Sequence, residues 1–187
     1  MSGKITSDVL ESYLKCRYKG HLKTMGEKGL SHDYEILMKE SRERIRRAAT
    51  ARLLARHDGE EVPIRLPLTA DLLKRGLPLL LDTSLEDEDL DVRFDALLRV
   101  DGDSRLGGFH YQPVIFNEAE KTAPNLRMLL ALHGVILCGI QGKEPATALL
   151  FHGCGCQERK VKLAGVVAQA RRLLREIREA RDRKSVV

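Results

Sequence analysis

Residues 91–100 read Asp-Val-Arg-Phe-Asp-Ala-Leu-Leu-Arg-Val. Val92, Phe94, Ala96, Leu98 and Val100 alternate with Arg93, Asp95, Leu97 and Arg99, a period of two that sends successive side chains to opposite faces of a strand. Asp95 thus falls on the polar face, opposite Phe94 and Ala96. The next residues, Asp101-Gly102-Asp103-Ser104, suit a tight turn, and 108–116 supply a second arm, so the pair reads as a hairpin. Pro113 interrupts that arm. Because proline donates no hydrogen bond, it implies an edge position or a local bulge.

Downstream of the hairpin, Pro124 sits at the first turn of a helix over 125–139 that is apolar almost all round and should be central and buried, with Cys138 in the core. Short strands are expected at 146–151 and 160–163. A closing helix over 164–183 has Val167, Ala170, Leu173, Leu174 and Ile177 on one stripe. Upstream, 5–23 reads as a short amphipathic helix capped by Thr6 or Ser7, with Val9, Leu10, Tyr13 and Leu14 at helical spacing. A longer helix starts at Ser31 or Asp33 and runs to about His57, burying Ile36, Leu37, Ile45, Ala48, Ala49 and Leu53, with an arginine-rich opposite face. Residues 63–68 suggest a short strand, Thr69 caps a brief helix over 70–75, and 77–82 is a strand or buried extended segment. This order belongs to the α/β class, a mixed central sheet flanked by helices.

The 187 residues fit one domain, 1–187, and 43% hydrophobic content can build a core of Leu, Val, Ile and Ala. No apolar run is long enough to span a bilayer, since the best, 126–140, carries Arg127 and His133. The first residues lack the apolar stretch of a secretory signal, so a cytoplasmic location and no membrane partner are expected. Four cysteines then read as reduced thiols or metal ligands, and Cys154-Gly155-Cys156 as a strand-end turn. The formal net charge is +5, unevenly spread: seven bases against two acids over 39–57, seven against three over 171–184, and nine acids against Arg93 and Arg99 over 82–103. The basic stretches are either seats for a polyanion or solvated helix faces.

Three stretches, in this order, resemble one family. Ile5-Thr6-Ser7 followed by Leu14-Lys15-Cys16-Arg17-Tyr18-Lys19-Gly20-His21-Leu22-Lys23 resembles the opening of RecB-like nucleases of the PD-(D/E)xK superfamily. The strand over 93–100 resembles their metal-binding aspartate strand, and His110-Tyr111-Gln112-Pro113-Val114 falls where their E-x-K strand follows. The helix that ends in Gln141-Gly142 is similar to the next helix of the helicase-associated subgroup. The resemblance covers nearly the whole chain and implies a restriction-endonuclease-like sheet, DNA as partner, and a site where carboxylates hold Mg²⁺ or Mn²⁺ while a lysine orients the attacking water.

Asp95 would be the metal-ligating aspartate. The second strand departs from the pattern, because Gln112-x-Val114 offers an amide oxygen but neither the charge nor the lysine. Either that strand is degenerate, or the roles have moved to Glu118, Glu120 and Lys121. His32 resembles a helix-start histidine that some members use as an extra ligand; the alternative is an exposed neighbour of a helix cap. Cys16 matches the N-terminal ligand of an iron–sulfur cluster, but the second cysteine set that would complete it is missing. The cluster is therefore absent, or the chain is the N-terminal part of a longer protein. Arg42, Arg46, Arg47, Arg171, Arg175 and Arg178 would face DNA. Two functions follow: a DNA-binding nuclease-family domain with weak or lost hydrolysis, or a noncatalytic scaffold partnering a helicase. A basic helical regulator would require the hairpin not to form.

Overall fold

A computed structural model describes residues 3–27, 33–120 and 124–182. The protein is α/β, with a six-stranded mixed sheet between helices, compatible with the restriction-endonuclease-like arrangement. The strands are β1 (Ile5–Thr6), β2 (Leu79–Glu86), β3 (Leu90–Ser104), β4 (Gly107–Asn117), β5 (Thr147–His152) and β6 (Gln157–Lys162). The helices are α1 (Ser7–Lys15), α2 (Arg17–Thr24), α3 (Asp33–Arg56), α4 (Ala70–Lys74), α5 (Pro124–Gln141) and α6 (Val167–Asp182). Strands β2, β3 and β4 form an antiparallel meander. Helix α5 then carries the chain back so that β5 lies parallel to β4, and β6 closes the sheet antiparallel to β5.

Two cores cover the two faces. Val9, Leu10, Leu130, Leu137, Leu174 and Ile177 bring α1, α5 and α6 onto one face, while Ile45, Ala49 and Leu53 bring α3 onto the other. The expected single apolar face of β3 is not kept: Val92 and Phe94 join the first core, whereas Ala96 and Leu98 face the second. Strand β2 changes over in step, with Leu81 in the second core and Leu85 in the first. The cause lies between them. Asp82 adopts a left-handed backbone (φ 53°), and the register, Leu81 opposite Ala96 and Thr83 opposite Phe94, sets Asp82 against Asp95 at the changeover.

Other expectations shift for local reasons. The opening helix breaks at Cys16, whose extended backbone (φ −160°, ψ 120°) lets α2 fold back until Gly20 sits on Tyr13; a Cβ on Gly20 would come within 2.3 Å of the ring. The segment 63–68 makes only two isolated bridges to β2, since Pro63 and Pro67 have no N–H to donate. The hairpin turn falls at Arg105-Leu106 rather than 101–104, which instead forms an irregularity within the ladder. Cys138 is only half-buried; Cys156 is the buried cysteine.

Gln141 accounts for the tolerance of Pro113. Its buried amide accepts from the Tyr111 N–H (2.9 Å) and donates to the Tyr111 carbonyl (3.0 Å) and the Lys143 carbonyl (2.8 Å). It thereby stands in for β5, whose pairing with β4 begins only at Val114. Pro113 points its nitrogen to the same unpaired side, two residues along, and no ladder bond is lost. Replacing Gln141 by alanine strands one donor, the Tyr111 N–H, and two acceptors, the Tyr111 and Lys143 carbonyls; we expect a loss of about 2–4 kcal/mol in urea unfolding.

His133 on α5 is buried edge-on against Phe94 (centroids 5.0 Å apart), and neither ring nitrogen has a partner. Burial pushes its pKa down from 6.5 to about 4. The unfolded chain therefore binds a proton that the folded one refuses, so this stability is full above pH 6.5 and is lost as pH falls through 4, by about 3 kcal/mol in all. His133→Phe should flatten the stability profile between those pH values in denaturant titrations; an unchanged profile would place the acid sensitivity elsewhere.

Candidate functional site at the fork of the sheet

The ladder between β3 and β4 stops at Ala96 and Val114. Beyond it, β4 continues beside β5 while β3 continues beside β2, and the two strands part. Strand β1 fills the vacated edge of β3 at Leu90 and Asp91, and Ser7 at the start of α1 accepts the Arg93 N–H through its hydroxyl (2.9 Å). Asp95 occupies the crotch of this fork. One carboxylate oxygen accepts the Phe116 N–H across the gap (2.8 Å), and the other accepts from the Arg46 guanidinium.

Arg46 reaches the fork from α3. Its guanidinium lies over the Phe116 ring, 5.9 Å from the centroid, and 3.7 Å from Asp82. Asp82 also receives Arg65 (3.2 Å) and Arg93. Two carboxylates are thus bound among three guanidiniums. Glu11 on α1 lies close enough to feel the charges of Arg42 and Asp95.

The two aspartates titrate in opposite senses. Burial pushes the Asp95 carboxyl above its ordinary value, although Arg46, the Phe116 N–H and Arg93 pull the other way. At Asp82 burial also works upward, but the bonds and charges of Arg93, Arg65 and Arg46 together hold it below its ordinary value. Glu11 is raised, chiefly by burial.

Among the described residues, those expected to complete a nuclease site are engaged elsewhere. Gln112 pairs with Leu98, three positions along β3 from Asp95, and its carbonyl oxygen accepts from the Thr147 hydroxyl (2.9 Å). Val114 is fully buried in the second core. Glu118 is engaged by Arg42 (3.1 Å), and Glu120 accepts the Cys154 N–H (2.8 Å). His32 and Lys121 lie outside the described residues. Cys16 is exposed at the hinge between α1 and α2, and all four cysteines are free thiols. Among the described residues no three His, Cys, Asp or Glu side chains converge as a metal cage. A Mg²⁺ or Mn²⁺ ion wants about six oxygens, and each Asp95 oxygen here accepts from one nitrogen donor.

The arginines expected to face DNA are mostly paired. Arg171 is bound by Glu144 (2.7 Å) and Arg178 lies 3.9 Å from Asp89, while Arg47 and Arg175 are exposed. The fork partners Asp82, Arg65, Arg93 and Glu11 were not singled out from sequence. Asp82 carried the only visible signal, as the first acid of the run that ends in Asp103. No protein-family model matches the chain, and no curated protein sequence matches it at a significant level.

Because Asp95 sits above its ordinary pKa, its share of the stability is full at low pH and is lost as pH rises through the folded value. Arg46→Met removes the charge that limits this loss. The Asp95 carboxyl carbon, followed by NMR, should then titrate higher than in the parent, and stability at pH 7 should drop relative to pH 4. An Asp95 inflection that does not move would exclude Arg46 as its counter-charge.

Proposed function

We propose that this chain is a nucleic-acid-binding domain on a RecB-like nuclease frame, acting on DNA in the cytoplasm, with metal-dependent phosphodiester hydrolysis weak or lost. One observation carries the reading: the carboxylate at the fork is committed to Arg46 and the Phe116 N–H. A guanidinium supplies the positive charge that a divalent ion would supply, but it has no open coordination position to activate water. Binding does not need that chemistry. The pI of about 9.1 and the net charge of +5 favour a polyanion.

The scaffold reading, with a helicase as partner, has its own support in Gln112. Its bond to Thr147 ties β4 to the start of β5, a structural use of the residue that stands at the E-x-K position. Both readings share the loss of hydrolysis and part company over affinity for DNA.

The parent and Asp95→Asn should both leave radiolabelled DNA intact in Mg²⁺ or Mn²⁺, while the parent binds DNA with affinity that falls steeply with salt, about 0.9 in log–log slope per duplex phosphate neutralised. Parental cleavage that vanishes in Asp95→Asn would overturn the loss of catalysis. Absence of DNA binding at low salt would leave the scaffold reading in its place.

A further inference from the structure

A groove of about 870 Å³ crosses the α1/α5/α6 face, on the other side of the sheet from α3. Four guanidinium residues line it, Arg17, Arg127, Arg159 and Arg172, against one carboxylate, Glu176, while Lys160 and Lys162 border it through the β6 backbone, their side chains alternating to the face of Leu149. Glu176 is itself 3.3 Å from Arg17. The groove therefore gathers a net three positive charges. They come from α2, α5, β6 and α6, elements distant in sequence.

Its walls are built rather than incidental. Arg127 is half-buried and donates to the carbonyls of Lys162 (3.0 Å) and Ala164 (2.7 Å), which fixes the corner between β6 and α6. Arg172 meets no carboxylate at ion-pair distance among the described residues. The first turn of α5, at Pro124 and Asn125, opens onto the same space with the positive end of an 18-residue helix. The floor is different in kind: Tyr13, Leu14, Met128 and Leu173 present apolar and aromatic surface, and Tyr13 is held in place by Gly20 behind it.

Resting on the nucleic-acid reading above, we propose that this groove is where the chain binds a single strand of nucleic acid, phosphates against the cationic walls and bases against the floor around Tyr13. A cationic channel with a flat apolar floor suits unpaired bases, which offer a π-face that a duplex keeps stacked inside. The volume lies near the top of the range for small-ligand pockets, about 300–1,000 Å³, enough for a short stretch of one strand. An acidic peptide would use the same walls but has no planar groups for the floor.

The test is fluorescence anisotropy with labelled single-stranded DNA and RNA 12-mers, the matching duplex, and a poly-glutamate competitor, on the full chain. The variants are Arg159→Glu/Arg172→Glu in the groove and Lys74→Glu/Lys143→Glu outside it, each checked by circular dichroism. The groove pair should weaken single-strand binding by about tenfold or more and lower the salt slope by about 1.4, at ~0.7 per single-strand phosphate, while the outside pair matches the parent. The DNA and RNA arms decide which strand is preferred. If the parent binds but the outside pair loses affinity and the groove pair does not, the groove is the wrong site and the nucleic-acid reading survives. A parent that binds neither strand overturns both. Tighter binding of duplex through the groove residues, or displacement by poly-glutamate as effective as by unlabelled strand, overturns the single-strand assignment.

Discussion

The Asp95 carboxylate has to satisfy a backbone N–H that the sheet itself cannot. Where β3 leaves β4 after Ala96, the Phe116 N–H would face an empty edge, and a buried unsatisfied donor costs about 1–3 kcal/mol. An acceptor on a short side chain is the compact remedy, but a carboxylate brings a charge into a mostly buried place. Arg46 answers that charge, and Arg46 is available only because α3 packs across the second core on Ile45, Ala49 and Leu53. The position of a whole helix is thus tied to one peptide group at the fork.

Asp82 extends the same constraint to the neighbouring strand. Its left-handed backbone turns β2 over at the point where β3 changes face, so the two strands keep register while exchanging cores. Three guanidiniums around it then hold a second carboxylate ionised. The three arginine side chains remain well exposed, and ion pairs so open to solvent each contribute little stability. The cluster consequently acts on arrangement more than on depth of stability: with Arg46, Arg65 and Arg93 all directed at two aspartates, other registers of β2 against β3 would leave charges unmatched.

Local patterns were read correctly where a single element decides its own conformation. The alternation around Asp95 gave a strand, Pro124 and the apolar run after it gave α5, and Thr69 capped α4 through its hydroxyl to the Leu72 N–H (3.1 Å). What escaped were features that two or more elements make together. The face change of β3 depends on the backbone of Asp82, thirteen residues earlier; the role of Gln141 depends on where β5 starts; and the turn expected at 101–104 was displaced because turn-prone residues there are absorbed by a strand irregularity. The resemblance placed Asp95 on a metal-binding strand. It did not show which group would be waiting for it, since Arg46 was assigned to the DNA-facing surface.

Helix α6 shows why charge along the chain is a poor guide to charge in space. Arg171 and Arg172 are neighbours in sequence, yet successive helical residues project about 100° apart. Arg171 turns to Glu144, and Arg178 and Arg181 turn to Asp89, so that side of the helix is spent on holding α6 to the α5–β5 connection and to the β2–β3 turn. Arg172, with Gln169 and Leu173, turns the other way and lines the groove. A run of arginines counted together therefore divides into a structural side that is neutralised and a lining side that is not. The positive potential left on the surface is set by which carboxylates the fold brings within reach, and the acids of the β2–β3 turn and the α5–β5 connection reach only the first side.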